Sequence, residues 1–204
     1  MRHAVIAVAA ALALSATPAI ASTAFLVDFE ELAAPGRPAS PLVYPEVSFT
    51  SLANGLGVER YILSPIATNV LFSLGDDPAG GEDGSGALQV DFLPAPTYFA
   101  ADVSFRISGD DLAGKVGEVD LWRAAVLVAT LPIFADGLVE TLDLVDLSAF
   151  GELNRLVIRP MDLRGLGYDD FAFNIIVVDF PVPAPASLML FGLGLAALGL
   201  ARRA

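Results

Sequence analysis

The chain has 204 residues, 24 acidic against 11 basic, a net charge of −13, no cysteine and a single histidine, His3. That charge disfavours nucleic acid and anionic lipid surfaces as partners. The lack of cysteine excludes disulfide staples, thiolate metal sites, Fe–S clusters and cysteine nucleophiles.

In chain order, residues 1–21 read as a secretory signal peptide. Arg2 and His3 form a basic start, Ala4 to Ala16 an apolar core, and Ala19-Ile20-Ala21 an A-x-A site for signal peptidase, which cuts after Ala21. His3 leaves with that segment. The body, residues 22–181, then has no histidine, which closes it to a Ser-His-Asp triad and to histidine metal ligands. Arg2, Arg202 and Arg203 lie in the terminal segments and every acidic residue lies between them. The body therefore keeps eight basic and 24 acidic residues, a net charge of −16. Its length suits one domain with a sizeable core.

Short apolar alternations bounded by Gly, Pro and Asp recur along the body and predict an all-β fold, a single jelly-roll-like β-sandwich. The predicted strands are Ala24–Glu30, Glu46–Leu52, Gly57–Leu63, Val70–Leu74, Ala87–Leu93, Tyr98–Ile107, Val116–Arg123, Val126–Pro132, Leu138–Asp143, Arg155–Arg159 and Phe171–Val178. Val103, Phe105 and Ile107 set three apolar side chains on one face with Ser104 and Arg106 opposite, as a half-buried strand requires. Val116 to Pro132 reads as a hairpin about Arg123-Ala124-Ala125, without the usual Asn-Gly turn. Gly75 to Gly86, with its glycines and Pro78, reads as an irregular loop, and Leu147 to Leu153 as one or two helical turns.

Three acidic doublets stand out: Asp76-Asp77, Asp110-Asp111 and Asp169-Asp170. If the first and last strands are neighbours, Glu30 and Asp170 become candidate ligands of a structural calcium ion, since oxygen ligands suit hard cations. The other reading of the same residues is a turn and cap at Asp169-Asp170 beside an exposed Glu30. The loop from Asp76 departs from the EF-hand pattern, because Pro78 stands at a ligand position and no glutamate closes it. No local motif selects a carboxylate pair for glycoside hydrolysis, so a noncatalytic protein is expected. Trp122, Tyr44, Tyr61, Tyr98 and Tyr168 are the aromatic side chains able to stack on sugar rings. Trp122 also reads as core or sheet face. Tyr168, read as part of a loop beside the acidic doublet, is the exposed ligand-binding candidate.

The tail begins with Val182-Pro183-Ala184-Pro185, continues through an uncharged run from Ala186 to Ala201, and ends Arg202-Arg203-Ala204. As a helix the run measures about 24 Å at 1.5 Å per residue, short for a membrane span; snorkelling arginines or a thinner bilayer compensate. The prolines favour an extended segment before it, and the arginines hold the extreme C-terminus in the cytoplasm. A plain tail anchor or a buried core helix are the competing readings.

Val182-Pro183-Ala184-Pro185-Ala186, the Gly/Leu-rich run and the Arg-Arg end resemble the PEP-CTERM sorting domain. The glutamate of the commonest Pro-Glu-Pro form is Ala184 here, giving the Val-Pro-x-Pro variant. The resemblance covers about a tenth of the chain. It implies recognition and cleavage by an exosortase, transient anchoring in the inner membrane, and delivery to the surface of a Gram-negative bacterium that makes exopolysaccharide. Asp28-Phe29-Glu30, Leu142 to Phe150 and Gly167 to Phe173 also resemble the β-sandwich bodies frequent in that group, akin to jelly-roll carbohydrate-binding modules. The expected role is a surface or matrix protein associated with exopolysaccharide in a biofilm. The alternative is a carbohydrate-binding surface module with a structural calcium site.

Overall fold

The computed structural model describes residues 21–62, 67–75, 84–93, 98–108, 113–138, 142–161 and 165–177. The terminal readings, the signal segment through Ala19-Ile20 and the tail from Val182 to Ala204, lie outside the described residues. So do the doublets Asp76-Asp77 and Asp110-Asp111.

Among the described residues the fold is all-β, in two antiparallel six-stranded sheets. The first sheet contains β1 (Ala21–Val27), β4 (Leu56–Ile62), β5 (Ala67–Ser73), β7 (Tyr98–Ser108), β10 (Asp143–Asp146) and β12 (Gly167–Val177). Its order is β10-β7-β12-β5-β4, with β1 also on β12. The second contains β2 (Leu42–Val43), β3 (Val47–Ser51), β6 (Leu88–Phe92), β8 (Ala113–Arg123), β9 (Val126–Asp136) and β11 (Arg155–Pro160). Its order is β2-β3-β6-β11-β8-β9. Among the described residues no helix is long and apolar enough to cross a membrane.

The sheets form because apolar residues recur with the period of a pleated strand. In β6, Leu88, Val90 and Phe92 are fully buried while Gln89 and Asp91 are half-buried on the other face. In β7, Val103, Phe105 and Ile107 are likewise fully buried. Side chains of both sheets meet in one core. Its centre is aromatic: Phe171 lies 5.0 Å from Phe49 and 5.1 Å from Phe105 between ring centroids, and Phe29 lies 5.1 Å from Phe49. Burying each such ring stabilises the fold by about 1.5–3 kcal/mol.

The observed strands follow the sequence pattern in order, with ends shifted by three or four residues in several: β1 runs Ala21–Val27 rather than Ala24–Glu30, β5 Ala67–Ser73 rather than Val70–Leu74, β8 starts at Ala113 rather than Val116, and β9 runs to Asp136 rather than Pro132. Three other departures stand out. The strand expected at Leu138–Asp143 lies further on, at Asp143–Asp146. Gly137, at φ 81°, and Leu138, 61% exposed, lie outside any strand. The two-residue β2 carries too short a pattern to be seen in advance. The last strand starts at Gly167 instead of Phe171, because a β-bulge lets the acidic doublet sit inside a strand. The β8–β9 hairpin turns through Ala124 and Ala125, both at positive φ (47° and 67°), the handedness that favours Asn-Gly. Neighbouring groups hold it: Ala124 N–H donates to Asn154 Oδ1 at 3.1 Å, and Arg123 donates to the carbonyls of Glu152 and Phe150 at 2.6 and 2.9 Å. The helical turn expected within Leu147–Leu153 is a 3-10 turn at Ser148–Phe150.

Candidate functional site at the junction of the first and last strands

Strand β7 runs along one edge of β12 from Gly167 to Val177. The other edge is shared. Strand β5 meets it at Tyr168, opposite Leu71, and β1 takes over from Phe171 to Val177, opposite Val27 to Ala21. Where β1 gives way to β5, the chain passes through Asp28-Phe29-Glu30, with Phe29 at φ 55° and fully buried.

Glu30 joins the two neighbours. Its Oε1 accepts from the backbone N–H of Asn69 at 2.7 Å and from Thr68 Oγ1 at 2.9 Å. The Asn69 N–H is the chief reason the Glu30 carboxyl lies below its ordinary pKa; burial opposes it, while the Thr68 hydroxyl and the Arg60 charge add to it. Arg60 Nη1 lies 3.7 Å from Glu30 Oε2. Asn69, buried, turns its side-chain amide back to the carbonyls of Phe29 and Leu32 at 3.3 and 3.0 Å. Two adjacent residues of β5 therefore fix the end of β1.

Thr68 Oγ1 also lies 2.6 Å from Asp169 Oδ2. Asp169 is 2% exposed, and its other oxygen accepts from the Asp170 N–H at 2.8 Å. Burial pushes the Asp169 carboxyl up to about 6, against the pull of the Thr68 and Asp170 hydrogen bonds, with the charges of Asp170 and Asp28 adding to the rise. One hydroxyl proton cannot satisfy two carboxylates at once. Below about pH 6, where Asp169 is protonated, the conflict is resolved: Asp169 donates to Thr68 Oγ1, and Thr68 donates to Glu30.

The structure thus brings Glu30 to Asp169, through Thr68, rather than to Asp170. Asp170, at φ 48°, turns its carboxylate to Arg106 of β7, with Nε 3.2 Å from Oδ2. Glu30 and Asp170 are each engaged elsewhere. Among the described residues no group of three or more histidines, cysteines or carboxylates is placed to hold a metal ion. Tyr168 corrects the sequence reading outright. It lies within β12, is fully buried, packs edge-on to Phe105 at 6.4 Å, and its phenol is raised by that burial. It offers no face to a sugar. The reason is the bulge: register shifts between Asp169 and Ala172, with Asp170 at positive φ, reset the alternation, so Tyr168 and Phe171 both point into the core.

Tyr44 and Trp122 are two of the other aromatic candidates, and the side chain of Tyr98 lies outside the described residues. Tyr44 packs against Phe29 and Phe49 at 6.4 and 6.0 Å, and its hydroxyl donates to Glu31. Trp122 lies half-buried on β8, with its Nε1–H buried and unpartnered. On the second sheet, Asp120 accepts from Arg159 and from Thr130 at 2.6 Å, and Asp91 accepts from Arg155 at 2.6 Å. Thr68 and Asn69 had escaped the sequence reading; the one signal for them is a polar pair interrupting the apolar run that continues Val70-Leu71-Phe72.

Residues 181–203 match the PEP-CTERM protein-sorting motif. No curated protein matches the chain. The motif marks an exported protein addressed to an exosortase, with placement at the cell surface or outside the cell.

Proposed function

We propose that this chain is a noncatalytic surface or matrix protein, processed at both ends and associated with exopolysaccharide in a biofilm. Signal peptidase removes residues 1–21. The apolar run from Ala186 to Ala201 then holds the chain in the inner membrane, with Arg202 and Arg203 on the cytoplasmic side, until exosortase cuts near Val182-Pro183-Ala184-Pro185. The observation that carries this reading is the sorting motif at residues 181–203.

Two features support the noncatalytic part. The body has neither histidine nor cysteine, so it lacks the usual neutral-pH base and the activated thiol. Among the described residues its most buried carboxylates, Asp169 and Asp120, hold strands together through Thr68 and through Arg159 with Thr130. Stability, solubility and delivery are then sufficient for the role.

Deleting residues 182–204 should release the body as a soluble secreted protein. Replacing Pro183 and Pro185 should leave an uncut, membrane-held form. Mass spectrometry of surface material reads both results, and a mature protein that still ends in Arg202-Arg203-Ala204 would overturn exosortase processing.

A further inference from the structure

Among the described residues, β2 and β9 end the second sheet, and β10, β4 and β1 each have one unpaired side in the first. A free strand edge presents unpaired backbone N–H and C=O groups, and folds blunt it with short strands, charge, proline or a covering segment. Four of these edges are blunted in that way. Strand β2 has two residues, β10 has four with Asp143 and Asp146 at its ends, and β9 carries Pro132. Strand β4 carries Glu59 and Arg60, and Gly36 exchanges backbone hydrogen bonds with its Val58 at 2.9 Å. Strand β1 differs. From Ala21 to Val27 it has no charge, no proline and no break in its register with β12, and Leu26 is 61% exposed. We infer that β1 pairs antiparallel with β1 of a second copy of this chain.

The neighbouring ladder fixes which residues face the free edge. Ala100 of β7 exchanges backbone hydrogen bonds with Leu153 at 2.7 and 2.8 Å, so its N–H and C=O point away from β12. Its register partner Ile175 therefore turns its own groups toward β1, where it meets Thr23. By alternation Thr23 and Phe25 bond to β12, while Ser22, Ala24 and Leu26 turn their backbone groups outward. These three are also exposed at their side chains. Such an edge is complementary to itself. About a two-fold axis at Ala24, Ala24 faces Ala24 of the copy and Ser22 faces its Leu26, each pair exchanging two backbone hydrogen bonds. The small Ala24 side chain leaves the axis uncrowded. On the N-terminal reading proposed above, Ser22 is the first residue of the mature chain. Its ammonium then donates to the Leu26 carbonyl of the copy, two residues short of Asp28, so charges of opposite sign meet at each end of the pair. One strand a side is a small contact, below about 1,200 Å². The pairing is therefore weak in dilute solution and forms where copies are crowded, as delivery to a surface makes them.

The chain has no cysteine, so one introduced thiol marks one place. Full chains carrying Ala24→Cys or, as an exposed control on β9, Val128→Cys are exported by cells, treated with a short bismaleimide and followed by immunoblot. Ala24→Cys should link two copies at least fivefold more than Val128→Cys. Added to Ala24→Cys, the pair Ser22→Glu with Leu26→Glu sets like charges face to face and should lower the yield to that of the control. Ser22→Lys with Leu26→Glu sets opposite charges at the same places and should restore it. The substituted side chains are all exposed, and circular dichroism of the purified chains checks that the fold is kept. Equal linking at both positions, linking of residue 24 to a different protein, or a yield indifferent to both charge pairs would overturn the pairing. Mass spectrometry of the N-terminus reads the signal peptide separately. A chain that keeps residues 1–21 removes that reading, and linking at residue 24 still decides for or against the pairing.

Discussion

Asp169 is a carboxylate held 2% exposed beside a hydroxyl that also serves Glu30. Its folded pKa of about 6 lies above the unfolded value, near 3.9. The folded state therefore binds the proton more tightly, and this contribution to stability is full below about pH 3.9 and lost as pH rises through about 6. The difference amounts to roughly 3 kcal/mol at pH 7. Asp169→Asn keeps the geometry: its amide donates to Thr68 Oγ1 and its carbonyl accepts from Asp170 N–H. It should raise stability by about 2–3 kcal/mol at pH 7 and leave it nearly unchanged at pH 4. Urea melts at the two pH values check this, and an equal effect at both would show that the titration of Asp169 is not the cause. Glu30 acts with the opposite sign, since its lowered pKa gives stability that is lost only as pH falls. Little of this was legible beforehand. Asp169-Asp170 reads as a turn by composition, and Tyr168 as a loop aromatic, because a bulge is a local break in the alternation from which burial is inferred.

At the scale of elements, the strands were legible wherever apolar alternation was unbroken, as in β6, β7 and β11, and the hairpin was placed although its turn chemistry was absent. Ala124 and Ala125 sit at positive φ, where an L-residue with a Cβ is strained. The hydrogen bonds from Arg123 and to Asn154 keep them there. Giving the turn the Asn-Gly pair it lacks, by Ala124→Asn together with Ala125→Gly, should stabilise the protein by about 1–2 kcal/mol. That is a rise in Tm of several degrees for a domain of this size. An unchanged or lowered Tm would mean that the surrounding hydrogen bonds already relieve the strain. Strand β9 ends the second sheet with Val126, Leu127, Val128 and Phe134 exposed. Pro132 lies among them and has no N–H to offer a further strand, which blunts that edge.

For the whole molecule, charge and chain path matter most. A body carrying −16 repels itself, and salt screens that repulsion. The soluble body should melt several degrees higher in about 0.3 M than in about 0.01 M sodium chloride, with the largest gain at the low end, where the Debye length shrinks from about 30 Å. A Tm that falls with salt would mean that the attractive pairs, such as Arg106–Asp170 and Arg155–Asp91, outweigh the net charge. The all-β class and the sorting tail could be read from composition, pattern and a terminal motif; the sharing of one β12 edge by two strands could not, because it joins segments far apart in sequence. That sharing has a topological consequence. Ala21 and Val177, the first and last described residues, are register partners, so the path of the body is a loop with a single gap. A short turn across that gap would make the backbone endless, and the alanine hairpin at the β8–β9 turn is a ready place to open it anew.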